Sequence, residues 1–433
     1  MCDSAAGGTL GVSEPARPEK SLEREIRAFH WIRLLSELSG RFAGTDQEGE
    51  AARRVDSWLR ELGFDEIEFS SVPSRPRPGW VWAVHFLLAA AGCLTGGALG
   101  LVLVGAAALS FRREAAGGGP VLSRVFPARD SQYVVARVGS TRPRRRVVLT
   151  APLDAAPASA LFGSRLAAFG AAPRAGASRA QRAEGERRPA GRPPRGLAAP
   201  PMLLLDLALV VAAASALGAE SLLALGARTV AAAVLALGAL AALRWASASA
   251  SAGANDASGV AALLTAAEQL AAQLPPDVEL WCAAVGAEHT GSRGMHALLE
   301  AHPEWRADNV AFVNFAWVGA GALHYLCSEG ELERVHYPTS LLELARRIAA
   351  SGSYGAVSAA DVAFETAGRL AARTSPHVLS LVALEPNGLP SGFRARSDDP
   401  APLDTELVVR AADFGCCVVS AFLRGDAEPL SYV

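Results

Sequence analysis

The sequence predicts an α/β domain interrupted by two apolar helical tracts that fold back as membrane hairpins. Three observations point there. Strand-like runs alternate with helical spacing and end in short polar strings. Two stretches are too long and too apolar for ordinary core helices. Of the 433 residues, 51% are hydrophobic, which is high for a wholly soluble chain.

Charge and cysteine usage separate function classes before any motif is read. A formal net charge of −2 offers no global field to nucleic acid, so no nucleic-acid partner is expected. The positive charge is almost all arginine, Lys20 being the lone lysine, and its placement matters more than its total. Cys2, Cys93, Cys282, Cys327, Cys416 and Cys417 show neither C-x-x-C spacing nor the density of a disulfide scaffold, and read as buried thiols. Residues 1–20 are rich in Ala, Gly, Pro and Glu, lack the apolar core of a cleavable signal, and read as a disordered tail.

The domain opens with two helices. Leu22, Ile26, Phe29 and Leu34 recur at helical spacing between charges over Leu22–Leu38. Thr45-Asp46-Gln47-Glu48 is a capping box, in which hydroxyl and carboxylate each satisfy a free backbone amide. It starts a helix with Ala52, Val55, Leu59 and Leu62 on its apolar side and Gly63 as its stop. Strands follow at Ile67–Val72, Gln132–Val138 and Arg146–Ala151. The later chain reads as a helix from Ser258, a strand at Val278–Val285, a helix from Ser292 and a strand at Val310–Phe315.

From Pro78 to Phe111 there is no Asp, Glu, Lys or Arg, and Met202–Leu243 is broken only by Asp206, Glu220 and Arg228. One crossing takes roughly 20 apolar residues, so each tract suits a hairpin, with Gly96-Gly97 as the first turn. An even number of crossings returns the chain to the side that holds the sheet. Four crossings are expected, with a re-entrant first tract as the alternative. Between the tracts, 156–199 is low-complexity Ala, Gly, Pro and Arg and reads as a disordered loop, either a solvated linker or a grip on anionic membrane lipid. Arg75, Arg77, Arg112, Arg113 and Arg244 flank the tracts on that same side, which makes the chain an integral membrane protein with its soluble domain facing the cytoplasm. The domain is then assembled from 21–77, 112–155 and 247–433, with 78–111 and 200–246 as hairpins.

Three polar strings stand where strands end: Thr150-Ala151-Pro152-Leu153-Asp154, Gly253-Ala254-Asn255-Asp256-Ala257-Ser258-Gly259 and Gly286-Ala287-Glu288-His289-Thr290-Gly291. Open α/β sheets place active sites at such carboxyl ends. On residue type alone, the carboxylates could be metal ligands or catalytic acids, but lone carboxylates at strand ends are more often helix caps or solvated loop residues.

With Arg41-Phe42-Ala43-Gly44-Thr45 before them, and Val313-Asn314-Phe315-Ala316-Trp317-Val318-Gly319 and Phe393-Arg394-Ala395-Arg396-Ser397-Asp398 after them, these strings resemble the zinc aminopeptidases of metallopeptidase family twenty-eight, clan MH. The chain also looks like the branch of that family whose peptidase domain is interrupted by hydrophobic hairpins. The resemblance implies a three-layer α/β/α zinc-exopeptidase-like domain with a mixed sheet. It further implies two zinc ions sharing a carboxylate, each with one His and one more carboxylate, and a Glu that takes a proton from the bridging water.

Carried across by residue, the resemblance implies a degenerate centre. The first metal's ligands fall on Pro152, Asp256 and Ala316; the second's fall on Asp256, His289 and Arg394. Pro152 and Ala316 have no donor atom, and Arg394 is a cation where a cation should bind. An Arg394 salt bridge to Asp256 or Glu288 is expected instead. Glu288 matches the general base and Asp154 the residue that orients the missing histidine, both as remnants. His324 and His377 read as satisfied core histidines, Trp281, Trp317 and Tyr325 as core or rim aromatics, and Asp398 as a family position or a plain turn residue.

The function expected is an inactive peptidase-like binding or scaffold module, with a peptide or protein partner in the old cleft and no cofactor. The alternative is an active aminopeptidase with one zinc on Asp256, His289 and an unidentified third ligand. A third reading makes the soluble part an anchor for the hairpins in a larger complex, with Asp206, Glu220 and Arg228 as the contacts.

Overall fold

The computed structural model describes residues 18–75, 78–115, 119–156, 199–219, 221–246, 253–331, 333–393 and 398–425. Residues 1–17 of the expected tail, nearly all of the arginine-rich loop, Glu220 and Arg394 lie outside these residues, and the last three tail residues, Pro18, Glu19 and Lys20, are helical.

Helices α1 (Pro18–Glu37) and α2 (Asp46–Glu61) open the chain. The Thr45 hydroxyl accepts from the amide of Glu48 at 3.3 Å, as a capping box requires. The Glu48 carboxylate reaches one residue further back than the motif predicts, to the amide of Gly44 at 2.7 Å, and also accepts from Ser131 Oγ at 2.5 Å and the Gln132 amide at 3.3 Å. The cap thereby ties α2 to strand β2 (Arg129–Gly139).

The other strands are β1 (Glu66–Ser74), β3 (Arg145–Pro152), β4 (Val278–Val285), β5 (Val310–Phe315), β6 (Ala322–Glu329), β7 (Val335–His336), β8 (Ser358–Asp361) and β9 (Val378–Leu384). Among the described residues these nine form one mixed sheet in the order β1-β2-β4-β3-β5-β9-β6-β7, with β8 on β6. Strands β4, β3, β5 and β9 run parallel at its centre, whereas β1-β2, β2-β4 and β9-β6 are antiparallel.

Side chains alternate across the sheet, so each central strand feeds two cores. Val147, Leu149, Val313 and Phe315 pack against α1, α2, α7 (Ala254–Ala271) and α11 (Thr405–Arg424). Val148, Val310 and Phe312 face α8 (Arg293–Ala301) and α10 (Gly368–Ala372) on the other side. Helix α9 (Thr339–Ala350) joins the first layer through Leu341 and Leu344. The helix expected from Ser258 starts at Ala254 instead, because Gly253 turns the chain and the polar residues Asn255 and Asp256 take up the first helical turn. Cys93, Cys282 and Cys416 are buried free thiols, and Cys327 and Cys417 are half-buried.

The apolar tracts form four helices: α3 (Pro78–Thr95), α4 (Gly97–Ala115), α5 (Ala199–Ala216) and α6 (Leu222–Ala246). The first turn falls at Gly96-Gly97, as expected. Helices α3 and α4 touch at Gly92 and Gly100, where a Cβ on Gly100 would stand 2.4 Å from the Gly92 carbonyl, so only glycine permits the approach. Helix α6 lies along α3 and α5 along α4, enclosing Ala89, Cys93, Ala108, Ala212 and Ala239. The Arg228 guanidinium donates to the last carbonyls of α3, at Cys93 (2.8 Å) and Leu94 (2.6 Å), and Arg112 pairs with Asp206 between α4 and α5. Against the expectation of four spans, one stretch among the described residues, Leu222–Arg244, is long and apolar enough to cross a membrane by itself; Gly79–Thr95 and Pro201–Ala216 are shorter apolar helices.

Candidate functional site

Parallel pairing brings the carboxyl ends of β3, β4 and β5 side by side, and the polar strings meet there. Asp154 lies just past β3, Glu288 and His289 in a single 3₁₀ turn past β4, Trp317 two residues past β5, and Asp256 in the first turn of α7.

Asp256 is the hub. Its Oδ1 accepts from the indole Nε1 of Trp317 at 2.7 Å and from Nε2 of His289 at 2.9 Å, and its Oδ2 accepts from the amide of Ala156 at 3.3 Å. Burial alone would push this carboxyl up, but His289 and then Arg41 outweigh it and hold the group below its ordinary value. Asp256 is therefore ionised and acceptor-only, so both ring nitrogens present N–H to it.

Arg41 supplies the deeper positive charge. It is wholly buried and donates to the carbonyls of Leu35 (2.9 Å), Leu153 (3.2 Å) and Gly253. Burial lowers its pKa, while Asp256, Asp398 and Asp154 oppose that shift by their charge. In the sequence, Arg41 stands out only as the start of a motif string. The signal available was Coulombic: three carboxylates gathered at one sheet edge require a cation, and the strand-end strings themselves contain no lysine or arginine.

The remaining residues divide by role. Asp154 is fully buried and accepts from the backbone amides of Glu288 (2.9 Å) and His289 (3.2 Å), so it shapes the loop after β4 instead of orienting a ligand. Glu288 Oε1 accepts from the Met295 amide at 3.2 Å; its Oε2 is buried without a hydrogen-bond partner, and burial pushes the carboxyl up to about 8. Asp398, whose turn reading is superseded, is buried and accepts from the Asn255 amide at 2.9 Å, capping α7. Trp317 is buried as expected but also acts as a donor, packing edge-on against Phe364 and Phe393 at 5.4 Å. His324 and His377 bond Ser358 (3.0 Å) and Ser340 (2.7 Å), as satisfied histidines do, and Trp281 and Tyr325 lie in the cores.

Among the described residues, three that are not glycine adopt positive φ, Ala287 (56°), Ser292 (50°) and Trp317 (50°), and all flank this site. Such backbone costs about 1–3 kcal/mol each and persists where the surroundings over-determine it. An open cleft of about 190 Å³ runs from Glu288, His289 and Trp317 to Val81, Trp82, Phe111 and Glu114 at the near ends of α3 and α4.

The donor set fits a metal centre poorly. Pro152 and Ala316 are buried and carry no donor, Asp256 is already surrounded by N–H groups, and among the described residues no three His, Cys, Asp or Glu converge to hold an ion. Arg394, expected to bridge to Asp256 or Glu288, is outside the described residues, and Arg41 stands as the buried cation near Asp256.

The fold is that of the zinc exopeptidases. A family model described as Peptidase family M28 matches residues 240–371, a stretch that contains Asp256, Glu288, His289 and Ala316 but not Pro152. A zinc aminopeptidase from Bacillus subtilis superposes with a TM-score of 0.52 at 13% identity, over 92% of this chain and 95% of that one. A leucine aminopeptidase precursor from Bacteroides thetaiotaomicron gives 0.51 at 11%, over 91% and 96%. A glutaminyl cyclase from the same organism gives 0.50 at 10%, over 91% and 97%, so similar architecture serves more than one chemistry. No curated protein matches the sequence.

Proposed function

We propose that this chain is a membrane-embedded, peptidase-like protein that has exchanged catalysis for binding, its cleft receiving a peptide or protein partner. The observation that carries the reading is the coordination of Asp256, whose oxygens accept three N–H groups from Trp317, His289 and Ala156. A carboxylate so satisfied, with Arg41 behind it, has its charge balanced internally. A zinc ion would have to displace those donors and sit close to a buried guanidinium. Without a metal-bound water, Glu288 has no nucleophile to activate and is held neutral at physiological pH by burial.

Membrane embedding is supported by the way the four apolar helices sort their side chains. Alanine predominates in the contacts, interspersed with Phe86, Cys93, Val104, Phe111, Leu205 and Leu235, while Leu109, Val210, Val230 and Leu237 point outward at 63–69% exposure. Mostly small residues inside and large apolar ones outside is the pattern of helices packed in lipid, and a water-facing surface of this kind would aggregate. The arginines at the near ends of the helices support a cytoplasmic domain.

The test is an aminopeptidase assay on the full chain in detergent, with a panel of aminoacyl anilides, before and after zinc addition. The reading expects no turnover above background in either condition. Zinc-dependent turnover abolished by Glu288→Gln would establish the one-metal alternative.

A further inference from the structure

We propose that an apolar pocket beside the start of α3 binds one anionic phospholipid, its phosphate held by Arg75 and Arg129 and an acyl chain lying among Phe42, Trp80 and Phe126. The pocket has a volume of about 340 Å³ and is walled chiefly by carbon; Asp256, His289 and Trp317 do not line it, although Arg75 and Val81 also line the cleft beside them. The polar side chains that line it are Thr45, Arg75 and Arg129. Arg75 donates from Nε to the Ser123 carbonyl at 2.6 Å, which fixes the side chain. Among the described residues its other two nitrogens, and the whole guanidinium of Arg129, have neither a hydrogen bond nor an ion pair. Two arginines further along the same sheet are paired instead: Arg137 with Glu66 and Glu279, and Arg146 with Glu279.

Backbone geometry places Arg129 deliberately. Gly44 has φ 73°, and a Cβ there would come within 2.6 Å of the Arg129 Cβ, so the glycine lets the start of β2 close over the start of α2. The motif string at 41–45 thus serves two sites: Arg41 reaches inward to the aspartates, and Phe42 and Thr45 face the pocket.

The surroundings are those of a bilayer interface. Trp80 is 43% exposed and meets Phe126 edge-on at 6.0 Å, and Val121 and Val125 are exposed beside it at the 3₁₀ turn Leu122–Val125. The unpaired terminal nitrogens of Arg75 and the guanidinium of Arg129, lining an apolar recess, match a phosphodiester joined to a hydrocarbon chain, since paired N–H groups suit phosphate oxygens. The source of that lipid rests on the membrane reading given above.

Native mass spectrometry and thermal unfolding of the full chain in neutral detergent test the site. Short-chain phosphatidylglycerol, phosphatidylcholine and glycerol phosphate are the three probes. Phosphatidylglycerol is expected to bind one per chain and raise Tm; the other two are expected to do neither. The double variant Arg75→Gln/Arg129→Gln is expected to weaken binding about tenfold or more, the loss of charge-assisted bonds to phosphate. Arg124→Gln, an exposed arginine outside the pocket, is expected to leave it intact. Equal responses of the parent and the double variant, or of anionic and neutral lipid, overturn the site. The membrane reading is scored separately, by recovery of the chain in carbonate-washed membranes. A chain found in membranes without the lipid effect loses only the lipid site, and a chain recovered in the soluble fraction that still binds the short-chain lipid keeps it.

Discussion

The indole N–H of Trp317 donates to Oδ1 of Asp256 over 2.7 Å, and Asp256 is the residue to which the sequence resemblance assigns the bridge between two metals. His289 completes the pair of ring donors at 2.9 Å. Asp256, which looks like a remnant in sequence, is here fully hydrogen-bonded, and removing its donors has measurable consequences.

Trp317→Phe keeps the ring contacts with Phe364 and Phe393 but withdraws the donor. Leaving a buried carboxylate short of one bond is expected to cost about 1–3 kcal/mol, read as a lowered Tm or denaturant midpoint. An unchanged midpoint would mean that Asp256 finds the bond elsewhere.

Arg41→Gln is expected to destabilise the chain by about 3–5 kcal/mol, because it leaves buried carboxylates without their counter-charge. Arg41→Lys is expected to rescue little, since one ammonium cannot span the carbonyls of Leu35, Leu153 and Gly253. Yield and equilibrium unfolding of both variants check this.

Glu288 gives a pH dependence whose sign follows from its raised pKa of about 8. Between the ordinary carboxyl value and about 8 the folded state holds a proton that the unfolded state has released, so stability falls as pH rises through this window and levels off above it. Glu288→Gln mimics the neutral acid and removes that contribution. Melting curves from pH 5 to pH 8.5 are expected to show a shallower decline for the variant, with its advantage greatest at the alkaline end. Parallel curves for the two proteins would contradict the assignment.

Leu237 lies outward on α6 at 66% exposure. If lipid faces it, Leu237→Arg is expected to cost insertion about 2.5–3.5 kcal/mol and to reduce recovery in carbonate-washed membranes. Recovery unaffected by the arginine would place that face in water.

Much of the scaffold is legible because period and punctuation agree with tertiary context. The strands Val278–Val285 and Val310–Phe315 are continuous apolar runs, as strands buried on both faces must be, and their limits can be read directly. Gly96-Gly97 punctuates an otherwise uniform tract. The start of α7 is less legible, since Ala254-Asn255-Asp256 looks like loop until Asp398, far along the chain, accepts from the Asn255 amide. That Pro152 and Ala316 carry no donor is plain in sequence, but the N–H groups gathered around Asp256 are not. Arg41 and Trp317 lie 276 positions apart and reach Asp256 only because the sheet order brings β3, β4 and β5 together.

Zinc titration of the purified, chelator-treated chain, followed by elemental analysis and melting temperature, addresses the exchange of metals for N–H donors most directly. The account expects no zinc above background and a Tm that neither zinc nor chelator moves. About one or two zinc ions per chain, with a Tm that rises on loading and falls on chelation, would contradict it.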